Sequence, residues 1–236
     1  MHVMSPTDYV LNIPVKCWID PDLIEESAME QIRNLANLPF AFKHIAIMPD
    51  VHSGYGIPIG GVLVTKKVVI PNAVGSDIGC GMCAIKTSLT ELDIDTRKIL
   101  MSKIRTVIPV GHGNWHQDYQ DDKWMPEYTD IYEKPVVQQQ FQAARKQIGT
   151  LGGGNHFIEM QKGSDGFIWI MIHSGSRNLG KKVADFYNMI AKKLNRRWFS
   201  TVGENQDLAF LPIETDEAKE YLAEMHYCVD FAFANR

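Results

Sequence analysis

No stretch of this 236-residue sequence is apolar for long enough to cross a bilayer. The longest strongly apolar run, FIWIMI at 167–172, falls far short of the roughly 20 residues a membrane helix needs. The first residues, MHVMSPTDYVLNIPV, hold no basic stretch followed by an apolar one, so no secretory signal is expected. Cysteine is scarce: four residues, at 17, 80, 83 and 228, are too few to staple a chain of this length and point to a reducing cytoplasm. An excess of basic charge is missing too. With 24 basic against 28 acidic residues the net charge is −4, so no overall field draws in nucleic acid and any such contact needs a local patch. Internal repeats and low-complexity tracts are also absent.

What is present is a hydrophobic fraction of 45% with 22% charged residues, enough at this length to bury a core. Residues 20–39, DPDLIEESAMEQIRNLANLP, read as one helix. Asp20 caps it, Pro21 takes its first position, Ile24, Ala28, Ile32 and Leu35 share a face, and Pro39 follows its end. A first strand is expected at Lys16, Cys17 and Trp18, with Cys17 buried and inert. HIAIM, GGVLVTK, KVVIP and MCAIKTSL, set between glycines and prolines, predict further strands. Residues 93–109 and 138–149 predict helices, while 111–135, polar and aromatic with no period, predict a long loop or lid. GFIWIMI predicts a buried strand, and HSGSRNLG leads into a helix with Leu179, Val183, Phe186, Ile190 and Leu194 on one side. From a Thr215 N-cap, the last segment carries Ala218, Leu222, Met225, Val229 and Ala232 as a helical stripe. Nothing downstream is there for it to pack on, so the sequence reads as cut off and 215–236 as a surface for self-association.

Ten residues, VGSDIGCGMC at 74–83, do not read as scaffolding. Three glycines surround a carboxylate and two thiols, with Asp77 and Cys80 three residues apart. Further on, His156 stands in LGGGNHFIE and His173 in MIHSGSR. Asp, Cys and His together suit zinc or a borderline transition metal better than magnesium or calcium. The glycines let backbone crowd an ion or a phosphate. His173, placed after a predicted strand, has the position of a site residue at a strand's carboxyl end. Taken singly, a histidine or aspartate in a glycine-rich loop is more often a turn residue than a ligand. Cys80 and Cys83 also spell CxxC, but no second pair completes a zinc ribbon.

Taken together, MPDVHSGYGIPIGGV (48–62), GSDIGCGM (75–82), LGGGNHFIE (151–159) and HSGSRNLG (173–180) resemble, in order, the motifs of the RtcB-type RNA ligases. The resemblance runs from about residue 40 to the last residue. It implies an α+β fold with mixed sheets and helices around a metal cleft, with residues 1–236 as the N-terminal part of a single catalytic domain. It also implies an activity: joining RNA 3′-phosphate or 2′,3′-cyclic phosphate ends to 5′-hydroxyl ends, with GTP as cosubstrate and manganese as cofactor. On this pattern Asp77, Cys80, His156 and His173 bind two manganese ions, with the Cys80 thiolate between them. Asn155 and Glu159 contact the guanine nucleotide, Asp50 orients the imidazole that takes up GMP, and Arg177 meets a phosphate. A further metal-binding histidine and the guanylylated histidine of the family lie in a C-terminal half that is not among these residues. The 236 residues alone are therefore not expected to complete ligation.

Two other classes would use the same residues. A metal-dependent phosphatase or nuclease needs the four ligands and an activated water, but no histidine nucleophile. A metal-retaining or RNA-binding remnant needs no chemistry at all. For RNA, Lys181, Lys182, Lys192, Lys193, Arg196 and Arg197 on one helix supply either a phosphate track or an ordinary solvated face. His112 and His116 match no catalytic position of the family and read as surface or lid histidines; His226, beside the last apolar stripe, reads as a packing residue.

Overall fold

The computed structural model describes residues 1–236, the side chain of Asp8 excepted. It divides into two units, Met1–Gly75 with Ala184–Tyr221, and Ser76–Val183 with Leu222–Arg236. The fold is α+β, with several small sheets and flanking helices.

In the first unit, β1 (His2–Met4), α1 (Pro6–Tyr9), β2 (Val15–Cys17), α2 (Glu26–Ala36), β3 (Ile45–His52) and β4 (Ile59–Val62) follow in order. The four strands form one sheet in chain order, parallel only where α2 carries the chain from β2 to β3. Period-two alternation sets its core: Val15, Cys17, Ile45 and Ile47 are fully buried, packed with Ile32 and Leu35 of α2. The helix expected from residue 21 is two pieces. Asp20 accepts from the Asp22 N–H and caps a short 3-10 turn, Pro21–Leu23; Ile24 is then extended, and α2 starts afresh. β3 runs past HIAIM through Pro49 to His52, with a register shift between Ile47 and His52, where a strand tolerates a residue without an N–H. β5 (Val68–Val69) precedes α3 (Pro71–Val74) and pairs with β9 (Leu211–Pro212) later in the chain.

The second unit is built on β6 (Gly81–Lys86), β7 (Phe157–Lys162) and β8 (Ile168–Ser174), an antiparallel sheet in the order β6-β8-β7. The strand expected to end before His173 includes it, and most of β8 is only half-buried. Between β6 and β7 lie α4 (Ile94–Val107) and α5 (Pro135–Gln147). Residues 111–135 contain two 3-10 turns, Asp122–Trp124 and Ile131–Glu133. Their backbone is tied to residues 145–152 by His116 N–H to Lys146 O (3.0 Å), Gln120 N–H to Arg145 O (3.0 Å) and Gly111 N–H to Gly152 O (2.8 Å). Buried Met125 and Ile131 anchor the rest.

The two longest helices, α6 (Arg177–Arg197) and α7 (Asp216–Asn235), each divide between the units. On α6 the fully buried residues are Leu179, Val183, Tyr187 and Ala191, whereas Phe186, Ile190 and Leu194 are half-buried. On α7 the expected exposed stripe is displaced. Ala218, Tyr221, Tyr227, Cys228, Phe231 and Ala232 are fully buried, Val229 is not, and His226 is exposed rather than packed. Thr215 caps the helix as expected, accepting from the Ala218 N–H at 3.3 Å.

The buried face of α7 includes a carboxylate. Glu224 is 0% exposed, and its Oε1 accepts from the Val136 (2.8 Å) and Val137 (2.6 Å) N–H groups at the start of α5. These are two of the donors a helix leaves unpaired, and the negative charge faces the positive end of the α5 dipole. Glu224→Ala should therefore destabilise the protein by about 2–4 kcal/mol, because two buried charge-assisted bonds go and two donors are orphaned. Glu224→Gln, which keeps an acceptor, should lose about half as much. Urea denaturation of the two variants checks the order.

Candidate metal centre

In an antiparallel sheet the start of one strand lies beside the end of its neighbour. Cys80 immediately precedes β6, His156 immediately precedes β7, and His173 is the penultimate residue of β8, which lies between them. Residues far apart in sequence thus meet at one edge. His156 Nε2 lies 3.6 Å and His173 Nε2 lies 3.5 Å from Cys80 Sγ, and the three ligand atoms all fall within 4.8 Å of one another. Ligands bonded to one ion at ~2.0–2.3 Å, with tetrahedral to octahedral angles, stand roughly 3.0–3.7 Å apart.

The second nitrogen of each ring is already committed. His156 Nδ1 is 2.9 Å from Leu151 O and His173 Nδ1 is 3.1 Å from Gly81 O. A carbonyl only accepts, so both distances suit an Nδ1 that carries the proton and an Nε2 lone pair that faces the thiol; at His156 the shorter contact to Leu151 O competes with the Arg177 NH1 donor at 3.3 Å. Asp77 adds a fourth acceptor, with Oδ2 2.9 Å from His156 Nε2. Acceptors pointed at one another at such distances need a proton or a cation between them. This donor set therefore fits a metal ion, with the backbone fixing both tautomers as in other histidine metal sites. Partial burial first, then the neighbouring Asp77, pushes the Cys80 thiol up to about 12, so the metal-free site holds a neutral thiol.

Two glycines make room for this. A Cβ on Gly175 would meet Asp77 Oδ1 at 2.2 Å, and one on Gly152 would meet the Arg177 guanidinium at 2.0 Å. Arg177 takes a left-handed backbone, φ 57°, at the start of α6. Its Nε donates to Thr150 Oγ1 at 3.2 Å, and NH1 lies 3.3 Å from His156 Nδ1. Burial lowers its pKa, opposed by Asp77 and Cys80. Asn235 closes the frame from α7: its Nδ2 lies 3.2, 3.0 and 3.3 Å from Thr150 O, Ser174 Oγ and Gly175 O, and its Oδ1 accepts from the Gly149 N–H at 2.8 Å.

A cleft of about 340 Å³ opens beside the cluster, lined by Asp77, His156, Arg177, Asn155, Lys181 and His112, among others. Asn155 and Arg177 line the same cleft. Glu159 instead lies on β7, on the sheet face of Phe157 and His173, and accepts from Gln161. Asp50 belongs to the first unit, exposed on β3, with its carbonyl 2.8 Å from His52 Nδ1. Cys83 takes no part in the cluster, its Sγ lying 3.9 Å from Arg236 O, so CxxC is not a chelating pair here. His112, read from sequence as a surface or lid histidine, is exposed and also lines the cleft, over Gly153, where a Cβ would meet its Nε2 at 2.9 Å. The signal for it is the pairing of Val110 with Gly152, a contact across 42 positions that no local pattern reveals.

Ligation by Cys80 displaces its proton. Metal affinity should therefore rise as pH rises anywhere below the thiol's pKa of about 12, by up to about tenfold per unit, and fall in acid. Calorimetry at pH 8 in buffers of different ionisation enthalpy should count about one proton released per Cys80 bound; a count of zero would exclude the thiolate as a ligand.

The comparisons with known proteins bear on the same residues. The family model described as RtcB, tRNA-splicing ligase RtcB, matches residues 31–236. The RNA-splicing ligase RtcB of Escherichia coli strain K12 is 37% identical over 243 residues, covering 95% of this chain and 58% of that protein. The tRNA-splicing ligase RtcB of Thermococcus kodakarensis is 31% identical over 279 residues, covering 97% and 58%; that of Nanoarchaeum equitans is 31% identical over 283, covering 98% and 58%. The chain thus spans under two thirds of the length of the relatives it matches. The family match takes in both glycine-framed loops, both thiol-facing histidines and the arginine beside them, and the chain belongs to the RtcB family.

Proposed function

We propose that this chain supplies the metal centre of an RNA ligase. The enzyme would join RNA 3′-phosphate or 2′,3′-cyclic phosphate ends to 5′-hydroxyl ends, with GTP and manganese. The observation that carries the reading is the acceptor cluster, in which two imidazoles with committed Nδ1 protons turn their lone pairs on a thiol beside a carboxylate. Family membership supports it, as do relatives named as RNA-splicing and tRNA-splicing ligases.

Asp77, Cys80, His156 and His173 would hold the manganese. Bound manganese supplies positive charge to phosphoryl oxygens. Arg177, anchored on Thr150, offers its guanidinium to a phosphate in the cleft, and Asn155 donates to the nucleotide there. Glu159, on the His173 face of the sheet, contacts the guanine nucleotide, and Asp50 orients the imidazole that accepts GMP. The Cys80 thiol has to stay reduced to act as a ligand, which fits a cytoplasmic setting.

Cys80→Ala should remove most manganese affinity in calorimetry, while Cys83→Ala, outside the cluster, should change it little. Equal losses would overturn the assignment. Asn155→Ala should weaken GTP binding about tenfold or more, the worth of a hydrogen bond to a charged phosphate, with manganese binding intact. A chain that binds ATP as well as GTP would remove support for a guanine-specific ligase.

A further inference from the structure

The basic face of α6 is less open than its sequence implies. Arg196 forms a two-bond pair with Glu204, at 2.7 and 2.7 Å, and Lys192 pairs with Asp207. Lys193 and Arg197, one turn apart and exposed, are in no ion pair among the described residues. Directly after them the helix ends in a complete two-bond cap. Phe199 N–H donates to Arg196 O at 3.1 Å and Ser200 N–H to Asn195 O at 3.0 Å. That cap places Phe199 at the left-handed position, φ 54°, where glycine is the usual residue. Phe199 is 91% exposed, and Trp198 beside it is 42% exposed. A bulky side chain is thus held in a backbone conformation that disfavours it, and gains no burial in return.

The turn is firmly held. Asn195 is nearly buried, with its Nδ2 donating to Phe210 O at 2.6 Å and its Oδ1 accepting from the Phe210 N–H at 3.3 Å. Ser200 Oγ accepts from the N–H of core residue Val202 at 3.2 Å. The aromatic pair is therefore presented ready-positioned, with two cations on the preceding turn.

We infer that Phe199 and Trp198, with Arg197 and Lys193, form an accessory site for single-stranded RNA, in which bases stack on the rings and the cations meet the phosphates. This rests on the RNA reading above. Rings with a π-face for any base, beside unpaired guanidinium and ammonium groups, are the chemistry of sequence-tolerant single-strand binding.

The test is fluorescence anisotropy of a labelled oligouridylate with hydroxyl ends, on the whole chain in chelator, so that the metal cluster takes no part. The wild-type chain should bind, more weakly as salt rises. Phe199→Gly, which suits the left-handed position, should keep or raise the melting temperature, leave manganese binding unchanged and weaken RNA binding about fivefold or more. Phe199→Tyr should retain binding, and Arg197→Ala should weaken it and flatten its salt dependence. The proposal falls if Phe199→Gly binds like wild type or if the wild-type chain binds no RNA in chelator. It falls also if the substitution abolishes only binding to anionic phosphatidylserine vesicles. Each of these outcomes leaves the metal-centre reading standing, since that reading is decided by the Cys80 calorimetry.

Discussion

Two backbone carbonyls decide what the site can be. Leu151 O and Gly81 O each take the Nδ1 proton of a histidine, and everything else at the cluster follows from that choice. Were either ring turned over, an N–H would point at the thiol, and the pocket would be a hydrogen-bond network rather than a set of lone pairs. The carbonyls are themselves fixed. Gly81 O belongs to the first residue of β6, and Leu151 is held by its N–H to Pro109 O at 3.0 Å and by Ser174 Oγ donating to its carbonyl at 2.9 Å. Sheet register and loop pairing thus set the protonation pattern of the side chains in the candidate metal centre.

The glycines matter for what they leave out. In the LGGGNH and HSGSR loops the missing Cβ atoms are filled space: the Arg177 guanidinium at Gly152 and the Asp77 carboxylate at Gly175. A side chain at either position would exclude a functional group rather than merely strain the backbone.

The cluster was legible in the sequence as a set of residue types, because Asp, Cys and His in glycine frames have few structural uses. How they meet was not. Convergence depends on β8 lying between β6 and β7, and antiparallel order over such separations leaves no local trace. α7 was misread for a different reason. An aliphatic stripe through Leu222 and Val229 was the natural reading, but the buried face is aromatic, Tyr221, Tyr227 and Phe231, and includes Glu224, a residue type that periodicity counts as solvent-facing. The helix at residue 21 broke because Asp20 caps a single 3-10 turn, and a capping signature does not say how long the helix after it will be. His112 is exposed, as read, but its place at the cleft was not legible, because it comes from backbone pairing with the Gly152 loop and not from its neighbours in sequence.

Asn235 bonds to Gly149, Thr150, Ser174 and Gly175 across sequence separations of 86, 85, 61 and 60. Closing loops that long is slow compared with forming a hairpin or a helix. During synthesis the sheet of the second unit can pair as soon as Ser174 has emerged, but the loops around the histidines lack their clamp until the last turn of α7 arrives. The frame around the cluster thus closes only once α7 has been added. Until then a nascent chain would present its thiol and imidazoles on an unclamped sheet edge.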